Sequence, residues 1–196
     1  MKELLLQNSW ALPLIGVLLL LILVGIVVYR RRAGRSAERR LRSVATEFLS
    51  GFIIPDGDDG EIHVEYALLT HRGIIIVDVK DVDGNVFGSD SMQDWTVISD
   101  QRRFTFGNPQ YALYDRLAAV KRLVPVIPVT GYVAFMSRGH FNRGRPSDVI
   151  LLDTLIDELQ QEKKSNDDDL FSTWLPQWDL LRETAIVAQV GHLMKN

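Results

Sequence analysis

The run GIIIVDVK, Gly73 to Lys80, constrains the fold more than any other stretch. Side chains in a strand alternate with period two, so Ile74, Ile76, Asp78 and Lys80 share one face and Ile75, Val77 and Val79 the other. A run this apolar on both faces predicts a central strand buried on both sides. Asp78 and Lys80 fall together where this strand leaves the core.

The preceding segment, Glu61 to Thr70, also alternates. His63, Glu65, Ala67 and Leu69 take one face, and Ile62, Val64, Tyr66 and Leu68 the other. Thr70-His71-Arg72-Gly73 is a turn, so the two runs predict an antiparallel hairpin. In matching register Glu65 approaches Asp78. Short strands are expected at Asn85–Gly88, Trp95–Ser99 and Arg103–Phe106. Asn108-Pro109 opens a helix to about Leu123, with Asn as cap and Pro in the first turn. Val126–Phe135 and Asp148–Leu152 predict strands, Asp153–Gln161 and Leu180–Met194 helices, and Lys163–Asp169 a polar loop.

Before the hairpin, Leu41, Val44, Ala45, Phe48 and Leu49 recur at three- and four-residue spacing, which predicts a helix over Ser36–Leu49 with Glu47 on or beside its apolar face. Pro55 to Gly60, PDGDDG, lacks the full ligand spacing of a calcium loop and reads as a solvated turn.

Charge divides the chain. Ala11 to Val28 carries none, and Trp10 and Tyr29 border it. Its length is close to the roughly 20 residues that cross a bilayer. Arg30, Arg31, Arg32, Arg35, Arg39, Arg40 and Arg42 follow. The expectation is a single-pass transmembrane helix in residues 1–29 with the N-terminus outside, a basic juxtamembrane linker in 30–42, and a cytoplasmic domain in 43–196. Of 22 bases and 25 acids in the chain, residues 1–42 hold eight and two, leaving 14 against 23 in the remainder. An acidic remainder argues against a general phosphate-binding surface. With no cysteine, disulfides and thiolate metal sites are excluded.

Two carboxylates and a lysine on one hairpin suit a Mg²⁺ or Mn²⁺ site, where hard oxygen donors and waters hold an ion that engages phosphate. A surface salt bridge between Asp78 and Lys80 is the competing reading.

Several features, in order, carry a resemblance. They are a strand with an acid followed by LLTHRG (Leu68 to Gly73), then Asp78-Val79-Lys80, then DGNVFGS (Asp83 to Ser89), Trp95, and RRFTFGNP (Arg102 to Pro109) leading into a helix. Over about Ala45 to Leu123 the chain resembles the nuclease-related domain (NERD) family of the PD-(D/E)xK restriction-endonuclease-like superfamily. The resemblance implies an α/β fold with a mixed β-sheet flanked by helices, Glu65 and Asp78 on the hairpin strands as metal ligands, Lys80 as the catalytic lysine, and Glu47 as a further candidate ligand. Glu65 stands where the family has aspartate and Asp78 where it has glutamate, a reciprocal swap. The glutamine that the family favours after Asn-Pro falls at Ala112, with Gln110 two residues early. Tyr66 stands where histidine is usual.

Two functions follow from these features. One is a membrane-anchored, metal-dependent nuclease acting on DNA or RNA. In it Arg102, Arg103, Arg138, Arg143, Arg145 and the arginines after the span guide the backbone. The other is a catalytically degenerate module of the same fold that binds nucleic acid or a protein partner at the cytoplasmic membrane face.

Overall fold

The computed structural model describes the backbone of residues 11–57, 60–100, 102–165 and 169–195, and the side chains of 15–25, 36–57, 60–100, 102–163 and 172–186. The chain forms two compact units, Met1–Ala37 and Glu38–Asn196.

Helix α1, Ala11–Val44, begins in the first unit and ends in the second. From Ile15 to Val24 its large side chains are exposed, Leu21 at 62%. Among the described residues no helix is long and apolar enough to cross a membrane. The expected interfacial residues Trp10 and Tyr29 lie outside the described side chains.

In the second unit α1 stops at Val44, not at Leu49 as the spacing predicts. Ala45 still bonds back to Leu41, but the Thr46 N–H turns to the Leu69 carbonyl at 2.9 Å. From there Glu47–Pro55 is strand β1, antiparallel to β2, Glu61–Thr70. Leu41, Val44 and Ala45 are buried as expected. Phe48 and Leu49 reach partly buried positions as strand residues, because their spacing suits either structure.

Strand β3 is Gly73–Lys80. Its Ile74, Ile75, Ile76 and Val77 are wholly buried, as a central strand requires. β2 pairs with it antiparallel, while β7 (Val129–Phe135) pairs with it parallel, and β9 (Val149–Leu151) pairs parallel with β7. The main sheet is therefore mixed, in the order β1-β2-β3-β7-β9. A second, four-stranded sheet, β6-β5-β4-β8, comprises β4 (Gly84–Phe87), β5 (Asp94–Ile98), β6 (Arg103–Gly107) and β8 (Gly139–His140). Trp95 joins the two sheets, buried and stacked on Phe135 of β7 with ring centroids 6.3 Å apart.

Helix α2, Pro109–Leu123, has the expected cap, with Asn108 accepting from the Gln110 N–H. It lies close on the sheet face that carries Ile74 and Ile76. A Cβ at Gly131 would stand 2.9 Å from both Leu113 and Leu117 of this helix, so glycine on β7 permits the approach. α3, Leu152–Ser165, and α4, Asp169–Lys195, complete the layers. Residues 166–168 of the predicted polar loop lie outside the described residues, and α3 takes up its start. Trp178 of α4 is buried and Trp174 packs against the same core.

Candidate metal and phosphodiester site

The hairpin register sets the site. Tyr66 pairs with Val77, Ala67 with Ile76 and Leu69 with Ile74. One further step of this register puts Glu65 opposite Asp78, with both side chains on the α2 face. The register is held by the turn into β3, where Gly73 has φ +99° and its would-be Cβ lies 2.2 Å from the Pro128 carbonyl oxygen. Only glycine fits there without strain.

Glu65 is half-buried. The backbone N–H of Val79 donates to its Oε2 at 2.9 Å, which fixes the carboxylate across the two strands. Asp78 is 3% exposed. Its Oδ2 accepts from Arg116 Nη1 at 2.7 Å, and its Oδ1 is buried with no hydrogen-bond partner among the described residues. Arg116, on α2, also donates from Nε to the His63 carbonyl at 2.6 Å. One guanidinium therefore bridges β2 and β3. Burial pushes the Glu65 carboxyl above its ordinary range, the Val79 N–H draws it back, and the Asp78 charge pushes it further up. Burial likewise raises Asp78, against the pull of Arg116 and then of Lys80 and His63. Lys80 is half-buried at the end of the strand, and its carbonyl accepts from Met136 N at 3.0 Å.

The structure thus brings Glu65, Asp78 and Lys80 together. Glu47 is placed elsewhere. It is the first residue of β1, not a helix residue, and pairs with Leu69, four positions along β2 from Glu65. At the rise of a strand this is about 13 Å away. Among the described residues no three His, Asp or Glu side chains converge as one metal cluster. The two facing carboxylates and the orphaned Oδ1 of Asp78 nevertheless fit a hard divalent cation that keeps several waters. His63 is exposed, and its contribution to the contact with Arg116 is its backbone carbonyl.

Beside Arg116 lies a cavity of about 470 Å³, lined by His63, Ala112, Asp115, Ala118 and Arg122 among others. Ala112 opens onto this space. Gln110 points elsewhere: it is buried, and its Nε2 donates to Asp90 Oδ1 and to the Ser147 carbonyl, each at 2.7 Å. It anchors the loop after β8 to the start of α2. Of the other arginines, Arg138 pairs with Asp81 at 2.7 Å and Asp83 at 3.3 Å, Arg143 lies over the Phe87 ring at 5.8 Å, and Arg102, Arg103 and Arg145 are exposed.

Arg116 is the residue that sequence reasoning missed. The signal was present: it follows Leu113 by three and precedes Val120 by four, so it edges the apolar stripe of α2. A base there, on a helix covering a strand that carries an acid near its end, is a candidate for a buried ion pair.

The family model of the nuclease-related domain matches residues 30–136 of the chain. No curated protein and no solved structure matches it.

Proposed function

The chain belongs to the nuclease-related domain family, and from that premise we propose that it hydrolyses phosphodiester bonds of DNA or RNA, anchored at the cytoplasmic face of a membrane. The observation that carries this reading is the hairpin register, which one step beyond the Tyr66–Val77 pair sets Glu65 level with Asp78, with the Val79 N–H on Glu65 Oε2 and Lys80 two residues on along β3.

In this reading Glu65 and Asp78 hold Mg²⁺ or Mn²⁺. The ion would polarise the phosphodiester and lower the pKa of a bound water. Asp78 offers its unpartnered Oδ1. Glu65 is oriented by the Val79 N–H, which limits the freedom that its extra methylene brings. The Lys80 ammonium donates to the attacking water or to the phosphoryl oxygen on which charge builds. The exposed Arg102, Arg103, Arg143 and Arg145 guide the nucleic-acid backbone, while Arg138 serves chiefly to hold the turn after β3 through Asp81 and Asp83.

Anchoring rests on the charge-free run Ala11–Val28 inside α1, on the exposed apolar side chains of its described part, and on the arginines that follow. It puts the N-terminus outside and the nuclease-related domain in the cytoplasm.

A second reading is favoured by the Arg116–Asp78 pair and by the position of Glu47. A site whose buried acid is already neutralised, and which lacks a third converging ligand among the described residues, suits a degenerate module that binds nucleic acid or a protein partner. The two readings separate on labelled DNA and RNA incubated with the full chain in detergent micelles, with and without Mg²⁺ or Mn²⁺. The first expects metal-dependent cleavage that Asp78→Asn abolishes. The second expects no cleavage by either chain.

A further inference from the structure

A guanidinium sits on the carboxylate that the nuclease reading assigns to a metal ion, bonded to Oδ2 beside the unpartnered Oδ1. We propose that Arg116 is an internal counter-cation that competes with a divalent metal for Asp78, so that the metal loads only when the guanidinium withdraws. The inference rests on the metal-site reading of the same residues and adds a condition that governs it.

Three observations carry it. First, Arg116 Nη1 takes Asp78 Oδ2 at 2.7 Å, and this is the one hydrogen bond that Asp78's carboxylate makes among the described residues. A buried carboxylate requires a compensating charge, and here Arg116 provides it in direct contact. A divalent ion on the same carboxylate would meet the guanidinium at close range, where like charges repel strongly in a poorly solvated site.

Second, Arg116 is held from both acid-bearing strands. Its Nε bond to the His63 carbonyl, two residues before Glu65, fixes the plane of the group against β2 while Nη1 engages β3. The guanidinium is thus positioned at the junction where Glu65 and Asp78 face each other.

Third, there is room for withdrawal. Arg116 also lines the cavity of about 470 Å³. Ala112 and Ala118 leave that space open on the helix side, and Asp115 is among the residues that line it. The Arg116 side chain is about one-fifth exposed, so its movement does not require the core to repack.

If Arg116 occupies Asp78 in most molecules, the apparent metal affinity is reduced by the fraction in which it has withdrawn. Mn²⁺ binding to the full chain in micelles, followed by electron paramagnetic resonance, measures this directly. Arg116→Met and Arg116→Gln are expected to bind Mn²⁺ at least ~10-fold more tightly than the wild type, and Arg116→Lys, which keeps the charge, much as the wild type does. Adding Asp78→Asn to either neutral variant is expected to remove the gain. A merely structural role for Arg116 predicts the opposite sign, since loosening the site weakens binding. Arg116→Gln keeps a hydrogen-bond donor to Asp78 and stands in should Arg116→Met not fold. Neutral variants that bind no more tightly than the wild type, or a gain that survives Asp78→Asn, would overturn the inference. Cleavage assays separate the two claims. Tighter binding without cleavage keeps this inference and removes the nuclease reading, and metal-dependent cleavage without tighter binding does the reverse.

Discussion

Arg116 Nη1 lies 2.7 Å from Asp78 Oδ2, across 38 residues of chain. Asp78 lies two residues before the end of a strand buried on both faces, and Arg116 edges the apolar stripe of the helix laid over it. The pair therefore depends on how closely α2 approaches β3 and β7, which Gly131 allows. It places a permanent positive charge on the carboxylate that the proposed function assigns to a metal ion.

Removing one partner of such a pair strands the other. Arg116→Met leaves a buried, uncompensated carboxylate and should destabilise the second unit by about 3 kcal/mol. Asp78→Asn/Arg116→Met should cost less than the two single changes together, because the stranded charge is gone. Urea denaturation of the four chains gives the coupling. Strict additivity would mean that the contact contributes nothing.

The carboxyls of Glu65 and Asp78 are both raised by burial above their ordinary values of 4.5 and 3.8. Between those values and the raised ones the folded chain binds more protons than the unfolded chain. Stability from this pair is therefore greatest at the acid end and falls as pH rises through that window. In the proposed function, metal binding would run the other way and tighten over the same window as the protons leave. Denaturation midpoints measured from about pH 4 upward should show a slope that Glu65→Gln/Asp78→Asn flattens. An unchanged slope in the double variant would place the titration elsewhere.

Gly73→Ala tests the hairpin that sets the register. A Cβ there stands 2.2 Å from the Pro128 carbonyl oxygen, at φ +99°. The atom it meets is backbone, so relief requires the start of β3 and Pro128, just before β7, to part. A loss of about 2 kcal/mol or more is expected, read as a lower denaturation midpoint. Because Glu65 and Asp78 meet only in this register, Mn²⁺ binding should weaken with it.

The anchor is tested by fractionation. The full chain is expected to stay with membranes through high-salt and alkaline washes, since about 20 apolar residues in a bilayer are not released by screening charge. A chain beginning at Arg30 should be released by salt, because only the arginine cluster then binds headgroups. Release of the full chain by alkaline wash would contradict a transmembrane span.

The central hairpin was legible in the sequence because two constraints coincide there: alternation over Glu61–Tyr66, and a turn ending in the glycine that the Pro128 contact demands. The facing of Glu65 and Asp78 follows from register alone. β1 was not legible, because Leu41 to Leu49 carries a spacing that suits a helix. Its second half becomes a strand only through pairing with β2, from the Thr46–Leu69 bond onward. That difference is what moved Glu47 away from the site. Arg116 was hidden for another reason. Its partner lies on a distant strand, and local pattern marks only a base beside an apolar stripe. The division into two sheets around Trp95 likewise depends on long-range packing that short strand signals do not encode.

The most direct measurement is the cleavage rate of the full chain and of Lys80→Ala at saturating Mg²⁺ or Mn²⁺ on labelled DNA and RNA. Lys80 is half-buried at a strand end, so its truncation should leave the denaturation midpoint nearly unchanged. The account predicts metal-dependent cleavage by the wild type and a rate lower by about 10²-fold or more in Lys80→Ala, the scale expected when a group that stabilises transition-state charge is removed. Equal rates in the two chains, or no cleavage by the wild type with either metal, would contradict it.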